Sequence, residues 1–199
     1  ARYTRALARS MANTKQVKAA ATLNNSFSAS YLGGDGSMLC TTNHATTQGG
    51  VFANRPTTDA DLNESSLETG LIDIAGFIDE RGLKVAAKGR KLVIPVNTQF
   101  IADRVLNSPL QSNSADNNIN AMKNMGMIPE GYVVNHYITD TDAWWLLTDV
   151  PNGLKMFVRA PIATSMEGDF DTGNVRYKAR ERYSFGWSDP RGIYGTQGG

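Results

Sequence analysis

"GGDGSMLCTTNHATTQGG", residues 33–50, holds the only cysteine of the chain, Cys40, one of its two histidines, His44, and a carboxylate, Asp35. Two readings compete for it. A cysteine nucleophile needs a histidine within hydrogen-bond reach and something to lower the thiol pKa. Cys40 and His44 are four residues apart, so they would meet only with Cys40 on a strand and His44 in the following turn. The other reading is structural. Gly-Gly-Asp-Gly is turn chemistry, residues 37–41 suit a short strand, and an isolated cysteine between Leu39 and Thr41 behaves as a small buried hydrophobe.

The rest of the chain narrows the choice. At 199 residues, with 41% hydrophobic and 20% charged residues, it has room for one large or two small domains and a sizeable core. No run approaches the roughly 20 apolar residues that span a bilayer, so no membrane partner is expected. One cysteine cannot form an internal disulfide, and two histidines argue against a histidine-rich metal site. The first residue is Ala1, and the polar segment after it lacks the apolar core of a signal peptide; the chain is expected to begin mid-protein. Net charge is +1 but unevenly spread. Residues 1–25 carry Arg2, Arg5, Arg9, Lys15 and Lys18 and no acid. Residues 59–81 carry Asp59, Asp61, Glu64, Glu68, Asp73, Asp79 and Glu80 against Arg81. Residues 174–191 are basic again, with Arg176, Lys178, Arg180, Arg182 and Arg191 against Glu181 and Asp189.

Periodicity supplies the elements. Residues 2–24 read as a helix with a thin stripe of Tyr3, Leu7, Ser10, Thr14, Val17 and Ala21; Arg2, Arg5 and Arg9 cluster away from it. Such a helix lies shallowly on a sheet and keeps a cationic ridge in solvent, where it suits nucleic acid phosphates. Ser65 with Glu68 spells a capping box. Leu67, Leu71, Ile74, Ala75 and Ile78 then make one apolar face, and Gly82 stands where a C′ glycine belongs. Residues 90–96 read as a buried strand. Asn97 or Thr98 caps a helix through Leu106 with Phe100, Ile101 and Val105 inward. Residues 107–120 form a polar loop. Strands are expected at 132–138, 143–149 and 154–160, the last two joined as a hairpin through 151–153. In 173–189, Val175, Tyr177, Ala179, Glu181 and Tyr183 alternate with Arg176, Lys178, Arg180 and Arg182, a long strand with one cationic face. Helices and strands do not alternate regularly, so the class is α+β.

Candidate chemistry is sparse. His136 reads as a structural histidine in a strand. Asp140, Asp142 and Asp149 suit a hard cation or, more simply, turns flanking strands. No dinucleotide fingerprint, P-loop, H-E-x-x-H or C-x-x-C is present, and no cofactor or metal is expected. Trp144 and Trp145 point to opposite faces of one strand: one belongs to the core, the other is a candidate interface aromatic.

Four runs, in order, carry a resemblance: "DGSMLCTTNHATTQGGVFAN", "DLNESSLETGLIDIAGFIDERGLKV", "RKLVIPVNTQFIADRVLNS" and "NVRYKARERYSFGWSDPRGIYG". Together they resemble the C-terminal two-thirds of a tailed-bacteriophage major capsid protein of the Mu-like major head subunit branch. The resemblance covers nearly the whole chain and implies the Hong-Kong-97-type fold, shared with encapsulin shells. In that family a D-G-x-x-L-x-x-x-x-H pattern, matched by Asp35, Gly36, Leu39 and His44, looks like a structural segment without catalysis.

The resemblance implies a peripheral domain over 1–56 with the spine helix, a mixed α/β axial domain over 57–160, and a return to the long peripheral sheet over 161–199. The family's N-terminal arm and extended loop have no counterpart here. The implied function is mechanical and not enzymatic: copies form hexamers and pentamers that close an icosahedral shell around double-stranded DNA, assembled in the host bacterial cytoplasm and ending in the virion. Partners would be the chain itself, then scaffold, portal and decoration proteins, with DNA held by nonspecific contact. Arg2, Arg5 and Arg9 are candidates for a lumen or neighbour contact. In the 107–125 loop, Asn113, Asp116, Asn117, Asn118, Asn120 and Lys123 are candidates for contact within a capsomer. The alternatives are an encapsulin-like cargo shell and a small cysteine or metal-dependent hydrolase using Cys40, His44 and Asp35.

Overall fold

The computed structural model describes residues 2–111, 118–171 and 173–199. Its first element, α1 (Arg2–Asn24), is uninterrupted by glycine or proline and runs for roughly 35 Å. Only Ala20 and Leu23 are fully buried. The packing face differs from the expected stripe. It passes through Leu7, Met11, Lys15 and Ala19, which are half-buried, while Tyr3 and Val17 are exposed. Lys15 explains the rotation: its ammonium meets Glu181 and lies 5.3 Å from the centre of the Tyr183 ring. A long charged side chain has taken a packing position through its aliphatic stem.

The expected strand at 37–41 does not form. The Cys40 N–H donates to Ser26 O and the Thr41 N–H to the Asn54 side chain, so this backbone is held by single bonds rather than a ladder. A minimal antiparallel pair follows instead, β1 (His44–Ala45) with β2 (Val51–Phe52).

Next comes α2 (Glu64–Ala75). Its cap is not Ser65 with Glu68. Asn63 is the N-cap, accepting from Ser66 N at 2.8 Å, and the Ser66 hydroxyl accepts from Asn63 N at 3.0 Å. Leu67, Leu71 and Ile74 are buried as their spacing predicts, but the helix stops at Gly76 because Phe77 turns into the core. Gly82 (φ +82°) serves a later turn, in which the Asp79 carboxylate accepts from Arg81 N and Leu83 N.

The body is a four-stranded mixed sheet in the order β4-β3-β5-β8, made by β3 (Gly89–Ile94), β4 (Tyr132–Val134), β5 (Trp144–Thr148) and β8 (Ile193–Thr196). Only β3 and β4 are parallel. Between β3 and β4 lie a 3-10 turn, α3 (Gln99–Asn107) and the short α4 (Ala121–Met125). Period-2 alternation splits the sheet into two cores. Leu92, Ile94, Trp144, Leu146 and Tyr194 face α2, Phe77 and Ala102. Val93, Trp145 and Ile193 face Leu23, Leu39 and Cys40. Gly195 stands opposite Trp145, where a Cβ would lie 2.6 Å from the indole. In α3, Ala102 is the buried residue, and Phe100, expected inward, is 71% exposed.

The largest departure concerns the hairpin. β5 does not pair with the strand after it. β6 (Leu154–Gly168) leaves the body and pairs only with β7 (Val175–Trp187), forming a two-stranded ribbon roughly 45 Å long with two register shifts in β6. Asn152 (φ +66°) makes the corner. Gly153 and Gly192 cross so closely that a Cβ on Gly192 would stand 2.3 Å from Gly153 Cα. In the body-proximal half of β7 the expected alternation holds: Ala179, Glu181 and Tyr183 are half-buried, and Arg180 and Arg182 are exposed. The mixed helices and sheets make the chain α+β.

Candidate functional site

The 33–54 segment is a structural clamp. Cys40 is fully buried, and burial pushes its thiol up to about 12, with a hydrogen bond from Ser26 acting the other way. A thiolate is therefore not available at neutral pH. His44 is buried too, with Nδ1 2.6 Å from Asp35 Oδ2 and Nε2 3.1 Å from Asn54 Oδ1. Both ring nitrogens are engaged, neither with sulfur. Among the described residues, no three His, Cys, Asp or Glu side chains converge as a metal site would need. Asp140 serves a turn, accepting from Asp142 N and Ala143 N, whereas Asp149 ties the end of β5 to the residue before β3, accepting from Lys88 N.

Two residues that sequence reasoning passed over hold this region together. Asn54 is fully buried. Its Oδ1 accepts from Thr41 N, and its Nδ2 donates to the carbonyls of Leu39, Pro190 and Ile193 at 2.8–3.1 Å. It thereby ties the 33–54 segment to the strand β8. Arg191, counted with the basic run, is internal. It donates to Ile78 O at 2.6 Å and to Glu80 at 2.7 Å, and its guanidinium lies 4.9 Å from the Phe52 ring centre. A lone Asn before Arg-Pro, or an Arg between Pro and Gly, gives no pattern that sets it apart.

The expected contact residues fare unevenly. Trp144 and Trp145 are each 1% exposed, in opposite cores; their indole N–H groups donate to Ala60 O and Ser26 Oγ. Neither surfaces to anchor a neighbour, because the sheet is covered on both faces. Asn113, Asp116 and Asn117 lie outside the described residues. Asn120 is buried: it donates to Val105 O and Ser108 O and accepts from Lys123 N, so it caps α4 and closes the loop instead of reaching outward. Lys123 is exposed but spends its ammonium on Asn107 O at 2.7 Å; Asn118 is exposed.

α1 and the hairpin are open to a partner, as are exposed apolar residues of the body such as Ile72, Phe100 and Met125. Arg2, Arg5 and Arg9 are exposed, and no ion pair among the described residues involves them. No residue of β6 is fully buried. Met166, Val175, Tyr177 and Phe170 stay exposed near the ribbon's far end, the last completely. Among the described residues, neither outer edge of the ribbon pairs with another strand. A two-stranded ribbon is marginal in water alone, and open apolar edges invite pairing with other chains.

Comparison with known proteins gives these surfaces a context. A family model described as "Phage capsid protein" matches residues 1–196. No curated protein matches the chain. Among solved structures, the chain is similar to one from Mycobacterium phage Che8, with 20% identity and a TM-score of 0.48, covering 97% of this chain and 61% of that one. It is also similar to the virus-like particle from Pyrococcus furiosus, with 13% identity and a TM-score of 0.44, covering 71% of this chain and 55% of that one. The chain thus spans about three-fifths of the length of the phage structure.

Proposed function

The chain belongs to the phage capsid protein family, and from that premise we propose that it is the shell-forming subunit of a tailed bacteriophage: copies gather into hexamers and pentamers and close an icosahedral container around double-stranded DNA. The observation that carries this reading is the ribbon, roughly 45 Å long, with both edges open and apolar side chains exposed. Burying those groups against further copies supplies what the single chain lacks, and many weak contacts per copy act together. The role is structural, and the clamped state of Cys40 and His44 supports that it is not a hydrolase.

The peripheral and axial division is proposed along the folded elements. The axial part is the four-stranded sheet with α2, α3 and α4, including β8, which returns to the sheet edge. The peripheral part is α1 with the β6–β7 ribbon, so the boundary expected at 160 moves to the start of β6 at 154. The shell belongs to the virion.

Expression of the protein followed by sedimentation and negative-stain microscopy tests the proposal. Closed particles enclosing DNA are expected. A chain that sediments only as a monomer under all assembly conditions refutes the reading. Particles filled with protein instead of nucleic acid establish a cargo shell in its place.

A further inference from the structure

We infer that the groove between α1 and the root of the ribbon receives the outer face of α2 from a second copy. The inference rests on the shell reading and assigns two of the surfaces by which copies meet. The groove measures about 930 Å³. Tyr31, Phe157 and Val158 line it and are all exposed, an apolar surface that the single chain leaves wet. Lys18, Arg159 and Arg182 line it too and are exposed, and no ion pair among the described residues involves them. Glu181, the carboxylate in its lining, is held by Lys15. An occupant must therefore bring an apolar side chain with acids beside it, as an interface with a dry centre and a polar rim does.

Charge selects among the exposed apolar residues of the body. Phe100 has Arg104 one turn on, its Nε on the Phe100 carbonyl. Met125 comes two residues after Lys123, and Leu83 lies between Arg81 and Lys84. Each would carry a cation to a cationic rim. Ile72 is different. It is 71% exposed, and no lysine or arginine occurs between Arg55 and Arg81. Glu64, Glu68 and Ile72 follow one another at i, i+4 and i+8, along one side of α2. Neither glutamate enters an ion pair among the described residues. An apolar anchor with two unspent carboxylates on one helix face matches a groove with an apolar wall and three unspent cations.

The chain cannot fill its own groove with this helix. α2 packs on one face of the four-stranded sheet, and the end of α1 lies against the other. The helix must come from a neighbour. Two unlike surfaces joined head to tail make a heterologous contact, the kind from which rings close. Duplex DNA is the weaker occupant: its phosphates answer the cations but leave Tyr31, Phe157 and Val158 without apolar partners.

The test uses the full chain. A groove variant (Lys18→Glu with Arg182→Glu), a helix variant (Glu64→Lys with Glu68→Lys) and the two combined are checked for folding by thermal unfolding and followed by sedimentation. Each variant alone is expected to lower particle yield at least about tenfold through like-charge contact, and the combination to recover most of it. A second measurement joins copies directly. In a Cys40→Ala background, chains carrying Ile72→Cys and chains carrying Val158→Cys are mixed and treated with a short bismaleimide. The mixture is expected to give linked pairs and neither chain alone to do so. Three results overturn the inference and leave the shell reading standing: wild-type particles without the mixed crosslink, linkage only between two Ile72→Cys chains, or a folded combined variant no better than its parts. A groove variant that keeps its particles but loses their DNA also overturns it and makes the groove a nucleic-acid contact. Absence of particles from wild type refutes the shell reading independently, since the mixed crosslink still decides whether the helix meets the groove.

Discussion

β5 and β6 are neighbours in sequence, both rich in apolar residues, and they have opposite fates. In "WWLLT" the first three residues are buried; in "LKMFVRAPIATSMEG" none is. Composition does not separate them. Coverage does: β5 sits between β3 and β8 with packed groups on both faces, while β6 has one partner and an open edge. The central strands of the body are covered by its own chain. The ribbon is left incomplete by it, which is what a subunit of a larger wall requires.

The comparison breaks most sharply at Trp145. Trp145→Ala removes a fully buried indole from the second core, together with the N–H that Ser26 Oγ accepts. A loss of about 3–5 kcal/mol is expected in denaturant unfolding. A cost under about 1 kcal/mol would mean that the body is as loosely held as the ribbon.

Asn54→Ala comes next. It leaves the Thr41 N–H and the carbonyls of Leu39, Pro190 and Ile193 without their side-chain partner. The expected loss is about 2–3 kcal/mol, the desolvation cost of buried polar groups left unmet. Asn54→Asp should not rescue it, since a carboxylate has no N–H to give.

Cys40 sharpens the same region at about 1 kcal/mol, the rough effect expected of Cys40→Ala. Its thiol should resist a disulfide reagent at pH 8 in the native chain and react fully once unfolded. Rapid native labelling would contradict both its burial and a pKa near 12.

On the ribbon the sign of the expectation reverses. Met166→Ser and Tyr177→Ser together should change the unfolding free energy of the single chain by no more than about 0.5 kcal/mol, because both side chains are already exposed. Particle yield should collapse all the same. Wild-type yield would show that the exposed apolar groups are not used between copies.

Much of the body and one strand of the ribbon were legible in the sequence because their signals are local. Leu67, Leu71 and Ile74 gave the face of α2, residues 90–96 gave β3, and the alternation of 173–189 gave β7. What escaped depends on long-range partners. Asn63 out-competed Ser65 as cap because the Ser66 hydroxyl could reach back to it, a choice that the capping pattern does not rank. The hairpin expected at 151–153 failed because β5 finds β8, some 45 residues on, a pairing no neighbouring residue announces. Both tryptophans went inside since the second sheet face is covered by the end of α1 and the 33–54 segment. The candidate site followed the same rule. The Arg2, Arg5 and Arg9 ridge was readable from helical spacing alone, whereas Asn120 and Arg191 looked like surface residues and are internal struts.

The smallest effect separates body from ribbon by pH. The hydrogen bond and charge of Arg191 hold the Glu80 carboxyl below its ordinary value of 4.5, against a smaller opposing contribution from burial. A depressed folded pKa means that the unfolded state takes up protons first as pH falls. The pair's contribution is therefore full above about pH 4.5 and is lost as pH drops through the depressed folded value. Since the Glu80 side chain is half exposed, solvent screening limits that contribution to about 0.5 kcal/mol. Wild type should melt slightly above Glu80→Gln at pH 6, and the gap should narrow as pH falls below about 4.5. The corresponding ribbon pair, Arg176 with Asp169, lies with its guanidinium in open solvent. Asp169→Asn should show a smaller gap at pH 6, and a larger one would mean that the ribbon is folded by its own charges and not by its neighbours.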